Sequence, residues 1–257
     1  MDREFRKYKT RGAYHWAMVS HHLKYHLPVA IARYQICLEL LGKLAGEKIL
    51  DVGCGDGALS GLIAASGGIV TGVDPNEFGL ELARREFKRR CLSGIFLSSF
   101  EPVADNSFDA AVCSEVIEHV TDPDDLLTTI ARVLKPGGIV VISTPIRRSE
   151  VPLDKEHIRE YFPSEFQALC RQRFQVVEFR DAIPLAAQEL FYYSTFPLGF
   201  LLRIVLRIRS AYFNDNYVLK WKGLNRYHMV QFAKLQKPNS SNTSARHNDL
   251  GNHVQLL

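Results

Sequence analysis

Apolar and polar positions follow two different periods along the chain. Short apolar runs that end at small or acidic residues predict seven strands, at 48–52, 69–73, 94–97, 108–113, 139–143, 174–179 and 226–235. Segments with a longer apolar period predict helices at 13–43, 58–66, 75–90, 123–134 and 164–170. Because strands alternate with helices, we expect an α/β fold with a doubly wound, mostly parallel seven-stranded sheet.

Both ends of the chain depart from this alternation. We expect residues 1–44 to form an N-terminal helical cap and residues 45–237 to form the main domain. The apolar, aromatic and basic segment 183–217 precedes the last strand, so it should cover the carboxyl edge of the sheet, where ligands bind. Residues 238–257 are rich in Asn and Ser, and we expect them to form a disordered tail.

Composition and charge exclude several classes of protein. The net charge of +4 over 257 residues is too small to indicate nucleic-acid binding by itself, and the basic excess lies within 183–237. Five cysteines without a C-x-x-C pair indicate a reducing compartment. The charged first residues do not resemble a signal peptide, and the longest apolar run, Leu190–Leu202, is shorter than the about 20 residues of a bilayer span. We therefore expect a cytoplasmic protein, with contact to a membrane surface left open.

Three glycines follow the first predicted strand in the sequence Asp51-Val52-Gly53-Cys54-Gly55-Asp56-Gly57. Glycine lets a ligand approach the backbone closely and also permits the positive φ of a tight turn. Asp74 ends the second strand, 21 residues after Gly53, where its carboxylate can accept both hydroxyls of an adenosine ribose. The structural alternative is an ordinary strand-to-helix turn in which Asp74 caps the next helix.

Two cofactors fit this glycine turn. Gly53-x-Gly55-x-x-Ala58 with Asp74 is an acceptable fingerprint for a nicotinamide dinucleotide. However, Asp51 at the strand end would help to hold a cationic cofactor. Gly57 also extends the glycine pattern to G-x-G-x-G. That pattern suits a cofactor without a pyrophosphate. Asp51 and the glycine pattern therefore both favour a sulfonium compound.

Several stretches resemble, in order, the class I S-adenosylmethionine-dependent methyltransferases: Leu50–Gly57, Val73-Asp74, Asn106–Asp109, Glu115–Val120 and Leu134–Gly138. The resemblance covers about residues 45–180, and Glu115–Val120 is most similar to ubiquinone-biosynthesis O-methyltransferases and their uncharacterised relatives. It implies S-adenosyl-L-methionine as cofactor, with the methionine moiety on Gly53, the ribose on Asp74 and Ser114 near the amino-acid part. Phe100 would stack on adenine. The remaining expected cofactor-site residues are Asp51, Gly55, Gly57 and Glu115.

Candidate acid–base groups follow the fourth predicted strand. Methyl transfer needs an aligned nucleophile and a base that removes its proton, and histidine titrates near neutral pH. We predict His119 and Glu118 as the catalytic residues. The alternative is structural, with both side chains fixing the loop and capping the next helix.

A metal site is a variant of this prediction. Glu115, Glu118 and His119 have i, i+3, i+4 spacing, which converges on one face of a helix, and His157 is a candidate fourth ligand. The pattern is similar to the E-x-x-E-H…H arrangement of small-RNA 2′-O-methyltransferases. Against a metal, His157 also falls within an H-x-R-x-[FY] stretch that is common in metal-free relatives. Metal dependence therefore stays open.

The function expected from these features is O-methylation of a small or lipid-linked metabolite, such as a quinol, phenol or glycan. RNA 2′-O-methylation and a non-catalytic cofactor-binding module are the alternatives. Residues 11–16 and the aromatic residues Phe191, Tyr192, Tyr193 and Phe196 are candidate lids and acceptor contacts, or else simply pack on the domain. We expect a helix over 197–213. Either the segment 190–213 contacts a membrane, with this helix lying in the interface, or the helix covers the pocket.

Overall fold

A seven-stranded sheet forms the centre of the molecule in the computed structural model, which describes residues 7–150, 152, 154–193, 195–220 and 227–239. The strands are β1 (Lys48–Val52), β2 (Ile69–Val73), β3 (Gly94–Leu97), β4 (Phe108–Ser114), β5 (Leu134–Pro145), β6 (Gln175–Pro184) and β7 (His228–Gln236). Their order is β3-β2-β1-β4-β5-β7-β6, and only β7 runs antiparallel to its neighbours. This confirms the predicted doubly wound, mostly parallel sheet.

Ten α-helices are described around this sheet. They are α1 (Lys7–Arg11), α2 (Tyr14–Val19), α3 (Pro28–Leu41), α4 (Ala58–Ala65), α5 (Glu77–Arg89), α6 (Pro123–Val133), α7 (Pro163–Arg171), α8 (Leu185–Gln188), α9 (Pro197–Phe213) and α10 (Tyr217–Lys220). One apolar core lies between the sheet and α3, α4 and α5, and a second lies between the sheet and α6 and α7. The sheet is therefore covered on both faces, as its apolar strands require.

The strand order reverses beside β1, which places a ligand crevice at its carboxyl end. β1 pairs with β2 on one side and with β4 on the other, with Val52 opposite both Val73 and Cys113. The residues that follow these three strands therefore emerge side by side. In open α/β sheets, ligands bind at such a switch point.

The prediction of one helix over 13–43 is wrong. The chain forms α2 and α3 instead, separated by the loop 20–27. Pro28 occupies the first turn of α3, where its missing N–H costs nothing, whereas inside a continuous helix it would break a hydrogen bond. In the loop, the His26 ring bonds the Ser20 carbonyl through Nδ1 at 2.6 Å.

The fifth strand begins earlier than its apolar pattern indicates. We expected it at Ile139, after Pro136-Gly137-Gly138, but β5 starts at Leu134 and accommodates these residues in a bulge between the Phe108–Leu134 and Ala110–Ile139 pairs. β6 also extends five residues beyond its predicted end, because its hydrogen bonds to β7 continue to Pro184. Residue 226, the predicted start of the last strand, lies outside the described residues.

The segment between β6 and β7 contains α8, a π-helical turn at Glu189–Tyr193, α9 and α10. The predicted helix over 197–213 is confirmed with the same bounds. Among the described residues, no single helix is long and apolar enough to cross a membrane; Leu185–Tyr192 and Pro197–Phe213 have the length and composition only as a pair, with a bend of 106°. The domain boundaries at residues 44 and 237 stay predictions, and residues 240–257 of the predicted tail lie outside the described residues.

Candidate active site

A cavity of about 1380 Å³ opens at the carboxyl edge of β1, β2 and β4. Eight of the ten predicted site residues line it: Asp51, Gly53, Asp74, Phe100, Ser114, Glu115, Glu118 and His119. Gly55 and Gly57 belong to the turn beside the cavity and do not line it. The structure thus brings the predicted cofactor residues and the predicted acid–base residues into one continuous space.

The glycine turn after β1 is shaped by close contacts as well as by backbone angles. Gly53 has φ +68°, and a Cβ there would lie 2.3 Å from a methyl carbon of Val116. A Cβ on Gly55 would lie 1.8 Å from the Tyr8 hydroxyl oxygen. Gly57 has φ +77° and packs against Ala83 of α5. Only glycine fits these positions, and each has a different neighbour.

Asp51 places a buried carboxylate at the end of β1. Its side chain is 2% exposed, and the Ser60 hydroxyl donates a hydrogen bond to Oδ2 at 2.5 Å. Burial raises the pKa of Asp51 to about 7, and the nearby charge of Asp74 acts in the same direction. A carboxylate in this condition is stabilised by any cation that enters the cavity beside it.

Asp74 is held in a fixed orientation at the end of β2. The amide N–H of Asn76 donates to Oδ1 at 2.8 Å, and that of Gly55 donates to Oδ2 at 2.8 Å. Burial raises the pKa of Asp74, while these two hydrogen bonds lower it. Each oxygen still has a second lone pair, so the side chain is able to accept two hydroxyl groups of a ligand.

The N-terminal helices close the cavity on the side of the glycine turn. Tyr8 from α1, and Tyr14 and His15 from α2, line it. Asp56, fully buried within the turn, anchors these helices: its Oδ2 accepts the His15 amide N–H at 2.9 Å, and its carbonyl accepts the Trp16 indole N–H at 2.6 Å.

A salt bridge ties the same helices to the opposite wall. Nζ of Lys7 in α1 lies 2.5 Å from Oε2 of Glu156, and the Glu156 carbonyl oxygen is 3.0 Å from Nδ1 of His119. Helices α1 and α2 therefore contact the glycine turn directly and are connected to His119 through Glu156.

Glu115 does not share a helical face with Glu118 and His119, so that prediction is wrong. Residue 115 has φ +57°, and only Ile117–His119 form a single 3₁₀ turn. The Glu115 carboxylate points instead to Arg33 of α3, with Nη1 and Oε2 3.1 Å apart. Glu115 therefore forms an ion pair in the wall of the cavity.

Glu118 is fully buried and holds the loop opposite it. Its carbonyl accepts the amide N–H groups of Ile158 and Arg159, and its Oε2 accepts the Thr144 hydroxyl at 3.0 Å. Burial, followed by the neighbouring charge of Glu115, raises the pKa of Glu118 well above its usual value. Such a shift favours the protonated form of the carboxyl group, and that form cannot act as a base.

His119 has the properties of a neutral base. Because the Glu156 carbonyl only accepts, Nδ1 of His119 carries the proton and Nε2 is the basic nitrogen. Burial lowers the pKa of His119, so the ring is neutral at pH 7. Since His119 lines the cavity, its ring is placed to take a proton from a molecule bound there.

Comparison with known proteins identifies the domain that carries this cavity. Residues 50–142 match the family described as methyltransferase domain. The chain is 42% identical over 108 residues to ubiquinone biosynthesis O-methyltransferase of Idiomarina loihiensis, covering 39% of this chain and 43% of that protein. It is 32% identical over 145 residues to the protein of the same name in Vibrio atlanticus, covering 55% and 61%. Over residues 50–142, this chain therefore has the sequence of a methyltransferase domain. It spans about half the length of the curated relatives that it matches.

Solved structures agree with the methyltransferase fold. Phosphoethanolamine N-methyltransferase 2 of Haemonchus contortus has a TM-score of 0.64 at 18% identity, over 93% of this chain and 60% of that one. Geranyl diphosphate C-methyltransferase of Streptomyces coelicolor has a TM-score of 0.60 at 18% identity, over 80% of both chains. At these identities, the similarity establishes the fold alone.

The cavity is also lined by a group of metal-ligating side chains. One ligand atom each from Glu118, His119 and His157 lies within 4.8 Å of the others. His157 is oriented by Glu160, with Nδ1 and Oε1 2.8 Å apart. Three of the four predicted metal ligands are therefore close together, whereas Glu115 forms an ion pair with Arg33. One carboxylate and two imidazoles suit a divalent transition-metal ion.

Tyr8 and Asp56 contribute to this site, but no sequence pattern described above predicts them. Tyr8 covers Gly55, and Asp56 anchors the cap, yet neither was singled out. Asp56 lies between Gly55 and Gly57, and an acidic residue inside a glycine turn was the sequence signal that could have indicated its role. Tyr8 offered none, because its contact with Gly55 joins residues that are distant in the chain.

Proposed function

We propose that this protein transfers the methyl group of S-adenosylmethionine to an oxygen of a small or lipid-linked acceptor of the quinol or phenol type. One observation carries the proposal: a single cavity holds the Asp51 and Asp74 carboxylates together with a His119 ring whose lowered pKa keeps it neutral. The printed names of the relatives, which are O-methyltransferases of ubiquinone biosynthesis, support an oxygen acceptor. A glycan hydroxyl is the other acceptor of this class.

The donor half of the cavity suits S-adenosylmethionine. The Asp51 carboxylate would pair with the ammonium group of the donor, and this pairing would offset the burial that raises its pKa. Asp74 would accept the two ribose hydroxyls. Gly53 and Ser114 would contact the methionine portion, and Phe100 the adenine ring.

The acceptor half would remove a proton. A phenolic oxygen bound beside His119 would give its proton to Nε2 as the oxygen attacks the methyl carbon. The carbon–sulfur bonding pair returns to sulfur, so the sulfonium becomes a neutral thioether. Holding the two reactants in line is worth about 7–11 kcal/mol. A positioned base contributes about 10²–10⁴ in rate.

The test has a binding arm and a turnover arm. We expect calorimetry to show binding of S-adenosylmethionine, loss of that binding in Asp74→Ala, and normal binding in His119→Gln. With a panel of catechols carrying short prenyl chains, the wild type should release S-adenosylhomocysteine, and His119→Gln should release it about 10²–10⁴ times more slowly. Glu101→Gln changes an exposed carboxylate of the same domain and is the control.

Each contrary result has a distinct meaning. Binding of a nicotinamide dinucleotide without the sulfonium compound would refute the donor. Donor binding without turnover of any phenol, quinol or glycan would refute the enzyme and favour the non-catalytic module. Turnover that is lost with a chelator and restored by a divalent cation would assign Glu118, His119 and His157 to a metal and remove the role of His119 as base.

A further inference from the structure

Helix α9 turns its apolar side chains toward solvent. Its described buried residues are only Leu206, Ser210 and Ala211. At 100° per residue, one face about 120° wide contains seven residues that are all exposed. We call them the α9 face: Leu198, Leu201, Leu202, Val205, Arg209, Tyr212 and Phe213. A surface helix normally shows the opposite arrangement, with its apolar stripe against the core.

The charges of α9 avoid this face or are paired on it. Arg203 lies on the inner side, half-buried, and Nη1 donates a hydrogen bond to the Leu190 carbonyl at 3.2 Å. Arg207 is also on the inner side and half-buried. Arg209, the one charged member of the α9 face, forms an ion pair with Asp215. The helix therefore directs its polar groups inward and its apolar groups outward.

The apolar area is too large to be incidental. The six apolar members of the α9 face are each between 42% and 77% exposed, and Phe196, just before the helix, is 77% exposed. Together they expose on the order of 700 Å², whereas the largest apolar patch on a typical soluble monomer is about 300–600 Å². A patch of this size indicates a binding surface.

The surrounding charge selects the partner. Loop 20–27 packs against the end of α9, where the Tyr212 hydroxyl donates to the His21 carbonyl at 3.2 Å. Segments 20–27 and 195–220 together contain five Lys or Arg residues, among them the exposed Lys24 and Lys220. The one acidic residue in these segments is Asp215, which pairs with both Arg209 and Lys220, so the sum of the charges stays positive. An apolar helix in a basic surround complements a bilayer with anionic headgroups. A second copy of this chain would bring the same positive charge to the contact.

We propose that the α9 face docks on the surface of an anionic lipid bilayer, with the helix lying in the plane of the interface. Seventeen residues make a helix about 25 Å long, which is shorter than the about 30 Å hydrocarbon core. Helix α9 packs against α3, and Arg33 of α3 lines the cavity. The docked orientation would bring the cavity beside the bilayer, where a lipid-linked acceptor dissolves; this last step rests on the proposed function.

The experiment is flotation of the full chain with vesicles of phosphatidylcholine, with and without phosphatidylglycerol. The test variant is Leu198→Gln/Leu201→Gln/Val205→Gln. Its matched control, Ile69→Gln/Ile95→Gln/Val177→Gln, removes three equally exposed apolar side chains from strands β2, β3 and β6. Lys24→Gln/Lys220→Gln tests the contribution of charge.

We expect the wild type and the matched control to float with the anionic vesicles. The α9-face variant should lose at least tenfold in partition, and Lys24→Gln/Lys220→Gln should lose most of the preference for phosphatidylglycerol. In Leu201→Trp, the new indole should shift its emission to the blue on adding anionic vesicles. All three multiple variants should keep the wild-type affinity for S-adenosylmethionine and the wild-type turnover of a water-soluble acceptor.

Three outcomes would overturn the docking proposal. The wild type does not float with either vesicle, the α9-face variant floats as well as the wild type, or the wild type is a dimer in vesicle-free buffer that the α9-face variant makes monomeric without any vesicle binding. Because donor binding and turnover of a water-soluble acceptor are measured separately, none of these outcomes touches the proposed methyltransferase activity.

Discussion

Asp51→Asn should make the ligand-free protein more stable while it removes donor binding. Burial raises the pKa of Asp51 from about 3.8 to about 7. Between these values the folded protein holds a proton that the unfolded chain has lost, so this carboxyl lowers stability progressively as pH rises. At 1.36 kcal/mol per pKa unit, the cost reaches about 4 kcal/mol above pH 7. An asparagine, which does not titrate, avoids it.

The difference between variant and wild type is the informative quantity. The new amide keeps an oxygen for the Ser60 hydroxyl, but its NH₂ group adds a buried donor that costs about 1–3 kcal/mol when unsatisfied. That cost does not change with pH, whereas the cost of the carboxylate does. We therefore expect the stability advantage of Asp51→Asn to grow by about 2 kcal/mol between pH 5.5 and pH 8.

Urea unfolding followed by circular dichroism, at several pH values and without ligand, measures this difference. Glu101→Gln removes an exposed carboxylate and controls for the change in net charge. In the same preparations, calorimetry should show donor binding lost in Asp51→Asn and retained in Glu101→Gln. A pH-independent difference would refute the reasoning, because Asp51 would then be ionised in the folded protein at no cost.

Three other predictions use different measurements. Gly53→Ala should lower the melting temperature more than Gly46→Ala. Both glycines have positive φ, but a Cβ would meet the Val116 side chain at position 53 and open space at position 46. Equal losses would mean that the backbone angle alone matters. Trp16→Phe removes the hydrogen bond to the Asp56 carbonyl, so we expect faster hydrogen exchange in α1 and α2 and weaker donor binding. Trp221→Phe is the control. Unchanged exchange would show that the Trp16 indole does not hold α1 and α2 in place. Since burial lowers the pKa of His119, kcat/KM should rise with pH, with its midpoint below the ordinary pKa of imidazole. His119→Gln should lose this rise, and an unchanged pH profile would exclude His119 as the base.

Local sequence patterns predicted much of the fold. The bounds of β1, β2 and β3 follow directly from short apolar runs between glycine, acidic and polar residues, and α9 begins at a proline and ends before an asparagine with positive φ. The break between α2 and α3 was missed because apolar residues continue across it, and only Pro28 signals a new start. The early start of β5 depends on pairing with β4, which no local pattern encodes.

The site divides in the same way. The carboxyl ends of β1, β2 and β4 were predictable, and so was the grouping of Asp51, Asp74 and Ser114, because parallel strands end at one edge. The spacing of Glu115, Glu118 and His119 was misleading because it assumed a helix where the backbone makes a 3₁₀ turn. The contacts of Tyr8 with Gly55 and of His15 with Asp56 depend on how two distant segments fold together, so spacing carries no trace of them.

The double attachment of the N-terminal helices has a thermodynamic consequence. They rest on the glycine turn through Asp56 and reach the loop of His119 through the Lys7–Glu156 salt bridge. If donor occupancy favours the ordered arrangement of residues 7–19, linkage requires those residues, once ordered, to favour the donor by an equal free energy. The same ordering would support the orientation of the His119 ring before any acceptor arrives. Binding of either reactant would then favour binding of the other by the same free energy.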